Sequence, residues 1–173
     1  MKKFNNEKSF TIIELLVVMG LVVLLTSIIL PDYRTGERQF ALQESTHKLA
    51  QDLRKAQEQS MSMHQFNCSS GKLKGYGIRF EQDRESYSFR ARCENGEILD
   101  IEEENIFLGE GVKIKELKID ENSINSINIF FYPPDPEIDF GGTNNAVIIL
   151  CLKNDFNNTK TISINKAGLI AIE

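Results

Sequence analysis

The sequence predicts an α+β protein, with one long N-terminal helix packed on a head of antiparallel β-sheet. Three observations predict it. Residues 10–30, FTIIELLVVMGLVVLLTSIIL, form an apolar run with one charge, Glu14. Residues 37–63 carry apolar and small side chains at alternating steps of four and three. From Gly71 onward come short segments that alternate apolar and polar residues. A chain of 173 residues, 41% hydrophobic, suits one modest domain plus one extra element.

The first element is the apolar run. Residues 1–9, MKKFNNEKS, precede it, with Lys2, Lys3 and Lys8 against Glu7. Such a positive flank holds an N-terminus in the cytoplasm. As a helix the run would be about 31 Å long, one hydrocarbon thickness. A cleaved secretory signal needs small residues at a cut site after the apolar core, and LTSIILPDY lacks them. Buried globular helices rarely carry so long an apolar run. A membrane anchor is the expectation.

Glu14 discriminates among anchors. A carboxylate inside a membrane helix costs about 2.5 kcal/mol or more, so it calls for a partner. A cut between Ser9 and Phe10 would create a positive amine four residues from Glu14. One chain would then present an amine where a neighbour presents Glu14. Pro31 closes the run, and a proline lacks its N–H and clashes one turn back.

Residues 31–64 read as the amphipathic continuation of the helix, running through Pro31 or resuming after it. Leu42, Thr46, Leu49, Leu53, Ala56, Ser60 and Met63 form one stripe. Lys48, Gln51, Asp52, Arg54, Lys55 and Glu58 fill the other faces. Gly36 is a flexible point. Thr46, Ala56 and Ser60 weaken the stripe as a coiled-coil seam, so packing on a sheet is preferred.

Residues 65–173 read as the β-rich head. SYSFRAR sets Tyr87 and Phe89 against Arg90 and Arg92, and VKIKELKI sets Val112 and Ile114 against Lys113 and Lys115. That is the pattern of a sheet with one wet face. NAVIILCL is denser and reads as a central strand. NKAG reads as a hairpin turn, with Gly168 free to take positive φ. PPDPEIDFGGTNN, from Pro133 to Asn145, reads as a surface connector or a contact surface, not as a strand interior.

Catalytic and metal chemistry have little to stand on. There is no P-loop, GxGxxG or GxSxG motif. His47 and His64 lack a ligand spacing. DENSINS and NDFNNT do not match a calcium loop, and turns explain them more simply. No enzyme, metal or cofactor is expected. If the head is exported, Cys68 with Cys93 is the preferred disulfide, leaving Cys151 buried, although pairing with Cys151 stays open. In the cytosol all three would be reduced. The net charge of −5 argues against a general nucleic-acid binder. Lys113, Lys115 and Lys118, or Lys153, Lys160 and Lys166, would have to supply a local basic patch.

The leader, then Phe10-Thr11-Ile12-Ile13-Glu14-Leu15-Leu16-Val17-Val18, Gly20 and Pro31, resembles the type IV pilin and type II secretion pseudopilin family. KLAQDLRKAQEQSMSM and TISINKAGLIAIE resemble its GspH/FimT-like minor pilins. The resemblance implies a structural subunit of a type IV pilus or a type II secretion pseudopilus. A prepilin peptidase would cut between Ser9 and Phe10, where the family has glycine at the Ser9 position, and N-methylate Phe10. Glu14 would meet the new N-terminus of a neighbouring subunit, and Pro31 would match the helix-kinking proline. The implied partners are other pilin or pseudopilin subunits, a membrane assembly platform, and the lipid bilayer before assembly. The implied location is the cytoplasmic (inner) membrane, single-pass, with the head outside the cytoplasm, then a periplasmic pseudopilus or surface pilus. A pilus-displayed DNA-binding or adhesion module is the alternative reading.

Overall fold

The computed structural model describes residues 11–62, 66–69, 71–101, 105–134 and 137–173, and only the backbone of residues 29–35. The leader, the proposed cut between Ser9 and Phe10, Met63 and His64 lie outside the described residues. The chain divides into two units, Met1–Glu37 and Arg38–Glu173.

One helix, α1, spans Ile12–Met61 and so contains both Pro31 and Gly36. In the first unit its apolar side chains, from Ile12 to Ile28, are exposed. The hydroxyls there turn inward on the helix itself. Thr26 donates to the Val22 carbonyl, and Ser27 donates to the Leu24 carbonyl at 2.8 Å. Among the described residues no helix is long and apolar enough to cross a membrane. The 21-residue run continues to Leu30, past Ile28, the last side chain described there.

The second unit holds the rest of α1 and eleven strands: β1 Leu73–Glu81, β2 Ser86–Cys93, β3 Ile98–Asp100, β4 Ile106–Phe107, β5 Val112–Ile119, β6 Asn122–Ile124, β7 Ser126–Tyr132, β8 Glu137–Asp139, β9 Asn145–Leu152, β10 Asp155–Asn165 and β11 Ile170–Ile172. They form two sheets. The first has the order β3-β2-β1-β7-β8, with β4 also paired to β2. The second has the order β11-β10-β9-β5-β6. Every pairing is antiparallel. NAVIILCL, as β9, occupies the middle of the second sheet, as its apolar density predicts.

A single hydrophobic core joins α1 to both sheets. Leu42, Thr46, Leu49, Leu53, Ala56 and Ser60 of the predicted stripe are all buried, together with Ser45 and Ala50. Small hydroxyl side chains on this face of the helix make the polar ties. Ser60 donates to the Phe131 carbonyl in β7. The Gly109 amide donates to Ser45 Oγ at 2.8 Å, and the Ser45 hydroxyl donates to the Ala41 carbonyl at 2.7 Å. A buried hydroxyl without such a partner would cost about 1–3 kcal/mol. Tyr87 in β2 donates to Asp52 at 2.5 Å, on the helix flank.

Three local features depart from the sequence reading. The alternation of VKIKELKI breaks at a bulge between Ile114 and Glu116, which returns Leu117 to the buried face. The Pro133–Asn145 segment contains β8, which pairs with β7 and buries Ile138. The segment NDFNNT is not only a turn, because β10 starts at Asp155. Gly168 does take positive φ, +86°, in the hairpin between β10 and β11.

Candidate functional site

In the first unit the chemistry concentrates at the start of α1. The Leu15 amide donates to the Thr11 carbonyl at 3.2 Å, closing the first helical turn. The Glu14 amide donates to Thr11 Oγ1 at 3.3 Å. Thr11 is therefore the N-cap, and Glu14 stands three residues later, exposed. An acid in a helix's first turn also faces the positive end of its dipole. The spacing Thr11-x-x-Glu14 is the sequence signature of a capping box, a local role for these residues beside the expected pairing of Glu14. Pro31 lies in the helical backbone, where its missing N–H removes one helical hydrogen bond.

In the second unit the outward face of the first sheet carries an ordered polar network. Register sets two rows across β2, β1 and β7, Ser88-Arg79-Asn128 and Arg90-Gly77-Phe130, and pairs Arg92 with Gly75, where a Cβ would fall 2.6 Å from the Tyr132 ring. The glycines are there because rings lie over them. A Cβ on Gly77 would fall 2.6 Å from the Phe130 ring and 2.3 Å from the Ile129 carbonyl oxygen. Arg92 sits over the Phe130 ring and donates to Tyr132 Oη at 2.8 Å and to Asp139 at 2.9 Å. The Tyr132 hydrogen bond, followed by the charges around it, holds Arg92 above its ordinary pKa range. Phe130 is thereby buried on what is otherwise the wet face.

The lysines considered for nucleic acid are largely engaged. Lys113 pairs with Asp83 at 2.7 Å, Lys118 with Glu116 at 3.3 Å and Lys153 with Glu85 at 2.7 Å. Lys115 donates to the Phe156 carbonyl at 2.9 Å. His47 is exposed on the helix, and the described residues contain no cluster of potential metal ligands. Cys68 and Cys93 are joined in a disulfide, and Cys151 is a buried free thiol.

No family model matches the chain, and no curated protein is significantly similar to it. Among solved structures, the fold is similar to the type IV minor pilin FimU of Pseudomonas aeruginosa strain PAO1. In one crystal form, space group P21, the identity is 16%, the TM-score is 0.46, and the match covers 76% of this chain and 87% of that one. In a second form, space group P65, the identity is 16%, the TM-score 0.44, and the shares are 76% and 92%. A likeness of that degree carries no argument about family or function.

Proposed function

We propose that this chain is a structural subunit, a minor pilin or pseudopilin, that joins a type IV pilus or type II secretion pseudopilus through its N-terminal helix. The observation that carries the reading is the first unit of the structure. An apolar helix begins at the Thr11 cap, carries one acid in its first turn, and exposes its apolar side chains through Ile28. Such a surface needs lipid or other protein around it. Its hydroxyls already donate to helical carbonyls, so they require no water.

In this reading the run of residues 10–30 sits in the bilayer until assembly. Prepilin peptidase cuts between Ser9 and Phe10 and methylates Phe10. The new amine of one subunit then neutralises Glu14 of its neighbour, and Pro31 marks a weak point in the helix. Glu14 also stays compatible with its own helix, because its backbone amide is the one capped by Thr11. The head, held by its own core, faces the exterior and packs against other subunits.

Two measurements test it. Intact mass of the membrane-extracted protein should show loss of residues 1–9 and one added methyl group; a chain that still starts at Met1 sinks the processing step. Glu14→Ala should leave processing intact and reduce incorporation into fibres. Unchanged incorporation would remove Glu14 from the mechanism.

A further inference from the structure

On the first sheet, where the β1–β2 turn meets the start of β4, lies a cleft of about 210 Å³. Three arginines line it: Arg79 from β1, Arg84 from the turn and Arg90 from β2. Ser86, Ser88 and Asn105 add neutral hydrogen-bonding groups. One acid, Glu81, lines it as well. With Asp100 paired to Arg90, three arginines face two acids, a local excess of one positive charge in a chain whose net charge is −5.

The charges inside the cleft are incompletely used. Glu81 bridges two of the arginines, 2.6 Å from Arg79 Nη2 and 3.3 Å from Arg84 Nε. Arg79 Nε is buried and, among the described residues, has no hydrogen-bond partner. Arg90 Nε lies 2.9 Å from Asp100 Oδ1, yet it too makes no well-directed hydrogen bond. A buried guanidinium N–H without an acceptor is costly, and a planar fork of such donors matches the oxygens of a carboxylate or phosphate. The backbone fixes the arrangement, because Arg79 and Ser88 are register partners across β1 and β2. Glu102, Glu103 and Glu104, which precede Asn105 in the chain, lie outside the described residues.

We infer that the Arg79–Arg84–Arg90 cleft is a binding site for a small oxyanion, a carboxylate or a phosphate. Glu81 occupies part of it as an internal competitor. The ligand oxygens take the place of the Glu81 carboxylate on Arg84 and on Arg79 Nη2, with the serine hydroxyls completing the shell. The inference is independent of the assembly reading, since every residue of the cleft belongs to Arg38–Glu173.

The test uses the full chain in a nonionic detergent, titrated by calorimetry with sodium phosphate and, separately, with sodium succinate, each against sodium chloride at matched ionic strength. Saturable binding of either anion supports the site, and the anion that binds more tightly identifies the ligand chemistry. Arg84→Gln should weaken binding about tenfold, by loss of one charged hydrogen-bond donor. Arg84 is mostly exposed, so its replacement leaves the fold standing. Glu81→Gln should act in the opposite direction and tighten binding several-fold, because it removes the competitor; a merely structural Glu81 would not do so. The inference fails if neither anion binds beyond chloride, or if both variants bind as the unaltered chain does.

Discussion

Asp120 Oδ1 accepts the Asn144 amide at 2.7 Å. The same carboxylate accepts the amides of Thr143 at 2.6 Å and Asn145 at 3.1 Å, and the Thr143 hydroxyl at 2.9 Å. It therefore ties the β5–β6 turn to the entry of β9. The Thr143 and Asn145 amides, with further help from Asn144, hold its pKa far below the ordinary carboxylate range. A depressed pKa stabilises the fold above the unfolded value, about 3.9, and the gain is lost as pH falls from there toward the folded value. Asp120→Ala should lower Tm by a few degrees at pH 7. The gap between variant and parent should narrow between pH 4 and pH 2. A gap of constant width would mean that the charge of Asp120 contributes nothing.

Leu53 is fully buried where α1 joins the sheets. Leu53→Ala should cost about 2–5 kcal/mol, combining lost transfer energy and the cavity left behind. Urea unfolding of the full chain would measure it. A cost under about 1 kcal/mol would place the helix outside the core of the head.

Gly77 tolerates no side chain. Its φ is not the reason; the obstacle is the Ile129 carbonyl and the Phe130 ring that a Cβ would strike. Gly77→Ala should destabilise by about 1–3 kcal/mol or more, as forced overpacking does. Phe130→Leu in the same chain should recover part of the loss, and no recovery would show that the backbone contact dominates.

The cysteines divide by reactivity. Burial raises the Cys151 thiol above its ordinary pKa, and Cys68 and Cys93 are bonded to each other. An alkylating reagent should therefore label no cysteine in the folded, oxidised protein and one after unfolding without reductant. Replacing both Cys68 and Cys93 with serine should cost about 3–4 kcal/mol, on the chain-entropy estimate for a loop of 25 residues. Labelling of Cys151 in the native state would contradict its burial.

The parts of the fold that were legible in the sequence are those with enough residues to show a period. The stripe from Leu42 to Ser60 repeats over five turns, and β2 alternates over eight residues, so burial follows directly. β3, β4, β6 and β8 have two or three residues each, too few for alternation to show, and they exist because a longer strand offers them hydrogen bonds. The bulge in β5 hides in the same way: Lys115-Glu116-Leu117 looks like a broken pattern until the extra residue is seen to restore it. For the sites, the expectation for Glu14 was a partner in another chain, and the Thr11-x-x-Glu14 cap emerged from the hydrogen bond between them. The arginine cleft was not legible, because the approach of Arg79 to Ser88 depends on strand register, which no single segment states.

The first sheet begins with β3 and ends with β8; the second begins with β11 and ends with β6. Each of these four boundary strands is three residues long. An incoming chain that paired with β3, β6, β8 or β11 itself would find only three residues of backbone to template it, a short edge of the kind that discourages edge-to-edge aggregation. In the assembly proposed above, joining heads through these four strands would gain only a few backbone hydrogen bonds, so helices and side-chain surfaces would hold the fibre together.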